Sequence, residues 1–213
     1  MSRRPVATAA LLALLATAAH GASVRVEHGN VVYVNDAGEP RALGSEGLDA
    51  DPALSPDGKI IVFVRDTPGR SFSAGAGQAH ATQLRAMRID GRGERLLVDG
   101  HPGEDPKRTL AGLHQPQFSP DGRWVYFLSA AWATSDAIHV VDLRDAKERF
   151  VIDGNSLAVV KAGRHAAALR VTRHKVRAAG GSYEWTGLVT PTGKEIKTLG
   201  VDGGQPGAQR PKK

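Results

Sequence analysis

Asp51-Pro-Ala-Leu-Ser-Pro-Asp-Gly-Lys-Ile-Ile-Val-Phe-Val-Arg65 aligns without a gap on Gln115-Pro-Gln-Phe-Ser-Pro-Asp-Gly-Arg-Trp-Val-Tyr-Phe-Leu-Ser129. A second match follows each copy in the same order: Glu94-Arg-Leu-Leu-Val-Asp-Gly100 against Glu148-Arg-Phe-Val-Ile-Asp-Gly154. Self-similarity of this kind marks a repeat architecture, in which each unit is stabilised by its neighbours.

The pieces of the repeat have a physical reading. In Ser-Pro-Asp-Gly, proline sets φ at the second position, aspartate bonds its own backbone, and glycine takes the left-handed conformation; the four residues form a turn. The turn joins a short strand over 52–54 to a longer one over 59–65. That longer strand reads Ile-Ile-Val-Phe-Val, and its counterpart reads Trp-Val-Tyr-Phe-Leu. Both are apolar on both faces, whereas a strand with one wet face alternates. They are therefore expected to be middle strands of small sheets stacked face to face. Third strands are expected over 84–90 and 138–142, and fourth, outer ones over 95–98 and 149–152. Four short strands per repeat, stacked radially, is a β-propeller blade.

A worn third copy follows, with strands expected over 157–160, 166–172, 182–190 and 195–199, and Lys161-Ala-Gly-Arg164 in place of the turn. At the front, 24–27, 31–35 and 41–43 offer three strands and no opening turn. The fold class expected is thus all-β: a β-propeller of about four four-stranded blades, the first incomplete, left open or completed by pairing with a second copy.

The pattern Pro-x-(Leu/Phe)-Ser-Pro-Asp-Gly-(Lys/Arg)-x-(Ile/Val)-x-Phe, at 52–63 and 116–127, resembles the propeller repeat of TolB-like proteins, relatives of the WD repeat. The two repeats built round it cover roughly 50–154, and with the worn and partial copies the likeness reaches most of 24–199. It is specific for fold and weak for function. TolB has an extra N-terminal domain before six blades and belongs to the periplasmic Tol–Pal envelope system. This chain has no room for both, so the resemblance implies a small TolB-like protein and not TolB itself. The same repeat precedes catalytic domains in prolyl-oligopeptidase-type proteases, and no hydrolase domain is expected here.

Composition agrees. The 213 residues hold 25 Gly and 12 Pro, more turn formers than is usual, with 23% charged residues and 41% hydrophobic ones. With no cysteine there is no disulfide scaffold, no cysteine-ligated metal and no cysteine nucleophile. Arg3 and Arg4 precede an apolar run of Ala, Val and Leu, then small residues at Ala19 and Gly21, the three-part pattern of a secretory signal peptide. Domain boundaries are accordingly expected at 1–21 for a cleaved leader, with Ala22 as the alternative cut, 22–200 for the propeller and 201–213 for a disordered basic tail. The run is shorter than a membrane span needs, and no later segment is apolar enough to cross. The product is expected in the periplasm. Cleavage removes two of the arginines behind the net charge of +6, and Arg210, Lys212 and Lys213 carry most of what remains. The folded part is near neutral, so nucleic acid is not an expected partner.

Blade geometry puts the first and third turns on one rim and the second turn and blade-to-blade crossing on the other. The first rim has tight turns. The second has long connections: 67–83 against 130–136 in the next repeat, and 100–113 against 153–155. Long loops in compact domains are usually functional or disordered. Candidate binding residues on that rim are Arg70, His80, His101, Arg108, Trp132, Asn155 and Tyr183, with Asp105, Lys107, a loop over 175–182 and Trp185 nearby. Such a surface suits an envelope protein or an acidic peptide; the bland alternative is that Arg70 and Phe72 tack down the loop and that Trp132 and Trp185 are packing residues.

Catalytic chemistry is thinly represented. No Gly-x-Ser-x-Gly elbow occurs, Ser55 and Ser119 beside Asp57 and Asp121 are turn residues, and no histidines have metal-ligand spacing. A composite metal site from His80, His101 and His114 is the remaining metal option. No cofactor and no catalytic residue is expected. The first reading is a non-enzymatic, exported propeller that binds through its long-loop rim. The alternative is a small propeller hydrolase or lyase with carboxylates or histidines at the channel mouth.

Overall fold

The computed structural model describes residues 21–202. The expected leader, apart from Gly21, and residues 203–213 of the expected tail lie outside the described residues. In chain order the strands are β1 (Ser23–Glu27), β2 (Asn30–Val34), β3 (Pro40–Ala42), β4 (Asp49–Leu54), β5 (Ile60–Arg65), β6 (Ser71–Ala74), β7 (Gly77–His80), β8 (Gln83–Arg88) and β9 (Arg95–Asp99). They continue as β10 (His114–Phe118), β11 (Trp124–Ala130), β12 (Asp136–Asp142), β13 (Glu148–Asp153), β14 (Ser156–Val159), β15 (Leu169–Val176), β16 (Ser182–Val189) and β17 (Glu195–Asp202).

Hydrogen bonding sorts these into β1-β2-β3, β4-β5-β8-β9, β10-β11-β12-β13 and β14-β15-β16-β17, with β6-β7 a separate hairpin. Every pairing is antiparallel. Three four-stranded blades and one of three strands is the expected architecture. One boundary moves: β17 includes Val201 and Asp202, which the sequence had placed in the tail, because they pair with Trp185 and Glu184 on β16.

The two Ser-Pro-Asp-Gly turns are built alike. Ser55 N–H donates to the Ile60 carbonyl at 2.8 Å and Ser119 N–H to that of Trp124 at 2.8 Å. Each serine hydroxyl donates to the aspartate two residues on, and each accepts from the next strand's backbone, Ser55 from Ile60 at 2.9 Å and Ser119 from Trp124 at 2.9 Å. Gly58 and Gly122 sit at φ +70° and +71°, where a side chain would be strained.

Stacking explains why the middle strands are apolar on both sides. Ile61 and Phe63 on β5 face the first blade, packing with Val31 and Met87. Val62 and Val64 face the third, packing with Leu84, Phe118, Val125 and Phe127. One strand on, Tyr126 and Leu128 of β11 face the fourth blade, against Leu157, Leu169, Val171 and Trp185. Burying a side chain of this size contributes about 1.5–3 kcal/mol. None of these three clusters joins the fourth blade to the first.

Polar ties reinforce the same order. Gln117 on β10 donates to the Leu157 carbonyl at 2.7 Å and accepts from Val159 N–H at 2.9 Å, binding neighbouring inner strands. Arg41, Arg95 and Arg149 recur at a constant interval. Each sends its Nη2 to a carbonyl in the third turn of the following blade, at Ile89, Leu143 and Pro191 respectively. Arg95 and Arg149 lie at the starts of outer strands, within their first two residues, so Arg41 marks β3 as an outer strand too. Strand direction agrees: β4 starts on the crossing rim, and β3, joined to it by 43–48, must end there. The first blade's three strands are therefore the second, third and fourth of the repeat, and the innermost position is the one without a strand among the described residues.

Candidate functional site

Both long connections of the second rim fold rather than trail. Residues 71–80 form the β6-β7 hairpin, which reaches the third blade and the crossing before it: Gly75 N–H donates to the Ala131 carbonyl at 3.0 Å and Gly112 N–H to that of His80 at 2.8 Å. In the blade crossing, His101 and Leu110 form a bridge through two bonds of 2.9 Å. Between them Pro106–Arg108 make one 3-10 turn, capped by Asp105, which accepts from Lys107 N–H at 2.8 Å. Buried Ser129 on β11 holds the returning segment, accepting from Ala111 N–H at 3.0 Å and donating to the Thr109 carbonyl at 3.0 Å.

This frame places the candidate residues. Arg70 is exposed but engaged, donating to the Asp99 carboxylate at 3.2 and 3.4 Å and to the Gly100 carbonyl at 3.0 Å. His80 Nδ1 stands 3.3 Å from Asp66. His101 Nδ1 faces the Pro102 carbonyl at 3.0 Å, and Arg108 is exposed on the 3-10 turn. Trp132 lies edge-on to Phe150, with ring centroids 6.3 Å apart. Phe150 in turn is edge-on to His139 at 5.7 Å, and His139 is stacked on Phe127 at 5.5 Å, so Trp132 is the rim end of an aromatic row crossing the third blade. Lys107 Nζ caps Phe150 at 5.8 Å.

Arg70, His80, His101, Arg108 and Trp132 thus share one surface joined by the hairpin and the crossing. Asn155 adjoins it, with Nδ2 donating to Thr134 O at 3.0 Å and Oδ1 accepting from Asp136 N–H at 3.1 Å. Tyr183 stands a blade further on, packed against the cluster between the third and fourth blades with Arg177 Cζ 4.6 Å from its ring centroid. The loop expected over 175–182 is shorter than read, because β15 runs to Val176 and β16 starts at Ser182. Trp185 is a core residue, its indole N–H donating to Thr198 Oγ1 at 3.0 Å. Asp66 and Asp99, which the sequence reading did not weigh, offset part of the rim's positive charge.

A second grouping lies where the rim meets the inner strands. His114 Nδ1 faces the Gly112 carbonyl at 2.9 Å, and its Nε2 is 3.5 Å from Asp136. Burial lowers the imidazole's proton affinity, but Asp136, the Gly112 carbonyl and the charge of Asp51 outweigh it and raise the pKa above the ordinary value. Asp51 and Gln115 hold equivalent places in the two repeats and share a left-handed backbone, φ 47° and 50°; Asp51 Oδ2 accepts from Gln115 N–H at 2.9 Å. Among the described residues no three of His, Asp and Glu gather in a metal-holding cluster, so His80, His101 and His114 do not form the composite site considered above.

No protein-family model matches the sequence, and no curated protein matches it. Solved structures do. TolB from Acinetobacter baumannii is 15% identical, with a TM-score of 0.51 over 85% of this chain and 39% of that one. Porphyromonas gingivalis dipeptidyl peptidase 4 is 10% identical, with a TM-score of 0.50 over 84% of this chain and 31% of that one. The chain spans less than half the length of either. At such identities the likeness is one of fold: an all-β chain of four-stranded antiparallel blades matching the β-propeller domains of TolB and of a peptidase.

Proposed function

We propose that this chain is an exported, non-enzymatic, TolB-like propeller that binds a protein or peptide of the bacterial envelope through its long-loop rim. The observation that supports it most is the β6-β7 hairpin, an insertion absent from the next repeat, which is hydrogen-bonded onto the third blade at Ala131 and onto the blade crossing at Gly112. It makes a pre-ordered shelf, and pre-ordering lowers the entropy cost of binding a partner. On that shelf Lys107 and Arg108 are exposed cations, Lys107 over the Phe150 ring against which half-buried Trp132 packs, an arrangement of the kind that anchors partner segments. Arg70 and Asn155 act in this reading by holding the shelf.

The test is site-specific photo-crosslinking in an exporting host, with the photoreactive residue at 108, at 132 or at 57 on the opposite rim. The reading expects one discrete envelope adduct from 108 and 132 and none from 57. Equal labelling from all three positions, or none, sinks it. Mass measurement of the exported protein checks the leader, whose removal is expected to leave Ala22 or Ser23 first.

A further inference from the structure

Clefts open on the tight-turn rim, away from the shelf. One of about 350 Å³ lies between the third and fourth blades, where Trp124, Tyr126 and Arg149 face Ala166, Ala167 and Pro191. The repeat departs from itself here. The first repeat has Ile60 and Val62 where this one has Trp124 and Tyr126. The fourth blade replaces Ser-Pro-Asp-Gly by Lys161-Ala-Gly-Arg164 and lines the space with Ala166, Ala167 and Pro191.

Tyr126 is the second observation. It is 2% exposed and lines the cleft, yet its hydroxyl has no hydrogen-bond partner among the described residues. Among the described residues the fully buried side-chain atoms without a partner are Thr67 Oγ1 and His139 Nε2, so the Tyr126 hydroxyl reaches the cleft and is free to donate to a ligand acceptor. Burial pushes its phenol pKa up, so it stays protonated and able to donate. Arg149 sits over Trp124, its Cζ 5.8 Å from the ring centroid, and uses Nη2 on the Pro191 carbonyl. Its remaining N–H groups can serve a ligand. The Asp121 carboxylate on the same wall is turned into its own turn, accepting from Ser119 Oγ and from Arg123 N–H at 3.1 Å. The walls are otherwise apolar. The volume is at the small end for ligand pockets, about 300–1,000 Å³.

We propose that this cleft binds a single apolar or aromatic residue bearing a carboxylate, its side chain against Trp124 and Pro191 and its carboxylate shared by the Tyr126 hydroxyl and the Arg149 guanidinium. The site is independent of the long-loop shelf and stands or falls apart from it.

Trp124 supplies the readout. Indole emission of the full chain is titrated with N-acetyl-L-phenylalanine, its primary amide, N-acetylglycine, and a five-residue peptide ending in phenylalanine with a free carboxylate. The acid is expected to saturate the change, with the amide and N-acetylglycine each roughly tenfold weaker or more, as loss of a charged hydrogen bond or of the apolar contact predicts. The peptide matching the acid identifies a chain end as ligand; the peptide failing where the acid binds identifies the free residue. Y126F, which removes one oxygen, is expected to weaken the acid about five- to tenfold, and A166L to block the cleft, with melting transitions kept near wild type. Absence of saturable binding, equal affinity for acid and amide, or unchanged binding by folded Y126F and A166L would overturn the proposal.

Discussion

The guanidinium of Arg173 on the fourth blade grips the carboxylate of Asp153 on the third with two hydrogen bonds, Nε to Oδ2 at 3.1 Å and Nη2 to Oδ1 at 2.6 Å. A forked pair of this kind fixes orientation as well as distance. The same guanidinium also reaches Glu195 at 2.7 Å on β17, so it ties an outer strand of its own blade to the end of its neighbour.

Replacing this arginine by methionine should therefore destabilise the fourth blade's docking. Arg173→Met is expected to cost about 1.5–3 kcal/mol, the range for hydrogen bonds to charged groups. Asp153→Asn should cost less, and the double variant less than the sum. Denaturant melts of the four proteins check the coupling; strict additivity would show that the pair is incidental.

The repeated turns carry a pH signature. A hydrogen bond from Ser55 lowers the Asp57 pKa, and one from Ser119 lowers that of Asp121, both against the opposing effect of burial. A carboxyl held below its ordinary value contributes stability that is full above the unfolded pKa and lost as pH falls through the folded one. Wild type should lose stability on acidification faster than a Ser55→Ala, Ser119→Ala double variant. Parallel pH–stability curves below the ordinary carboxylate range would contradict this.

For His114 the sign reverses. Its raised folded pKa means that protonation favours the native state. That contribution is full below the unfolded pKa and disappears as pH rises through the folded value. His114→Gln should be less stable than wild type in mildly acidic buffer, with the gap closing in mildly alkaline buffer. NMR titration of the His114 ring provides the direct check, and a pKa at or below the ordinary histidine value would refute it.

Position in the stack decides the cost of losing a large side chain. Phe127 is fully buried between blades, whereas Ile196 on β17 is 42% exposed. Phe127→Ala is expected to cost about 3–5 kcal/mol by leaving a cavity. Ile196→Ala should stay within about 0.5 kcal/mol, as surface changes do. Comparable losses from the two would mean that β17 is covered in solution.

The doubled hairpin made the architecture legible because its information is local. The Ser-Pro-Asp-Gly turn is specified by four residues, and the two-faced apolar strands beside it leave only stacking as a way to bury both surfaces. The hairpin at 71–80 escaped notice because its Ser, Ala and Gly residues have little intrinsic strand preference. The hairpin pairs with itself but is docked by bonds to Ala131 and Gly112 on segments remote in sequence. Arg95 and Arg149 stood in the matched segments, and the same interval would have found Arg41; their acceptors are backbone carbonyls, which sequence does not mark. On the candidate site, the rim residues were read as a group, but the carboxylates of Asp66 and Asp99 beside Arg70 and His80 became visible only when the hairpin was folded back. Trp124 and Tyr126 were read as strand residues, and the cleft they line depends on the small residues of a blade whose turn had diverged.

Apolar packing that passes only from each blade to the next, never from last to first among the three clusters, makes the molecule mechanically a short linear stack. Arrays coupled through nearest neighbours loosen from their ends. Amide protons of β1–β3 and β14–β17 should accordingly exchange with solvent before those of β5 and β11, and a pull applied at the chain ends should peel single blades away while the two central ones hold.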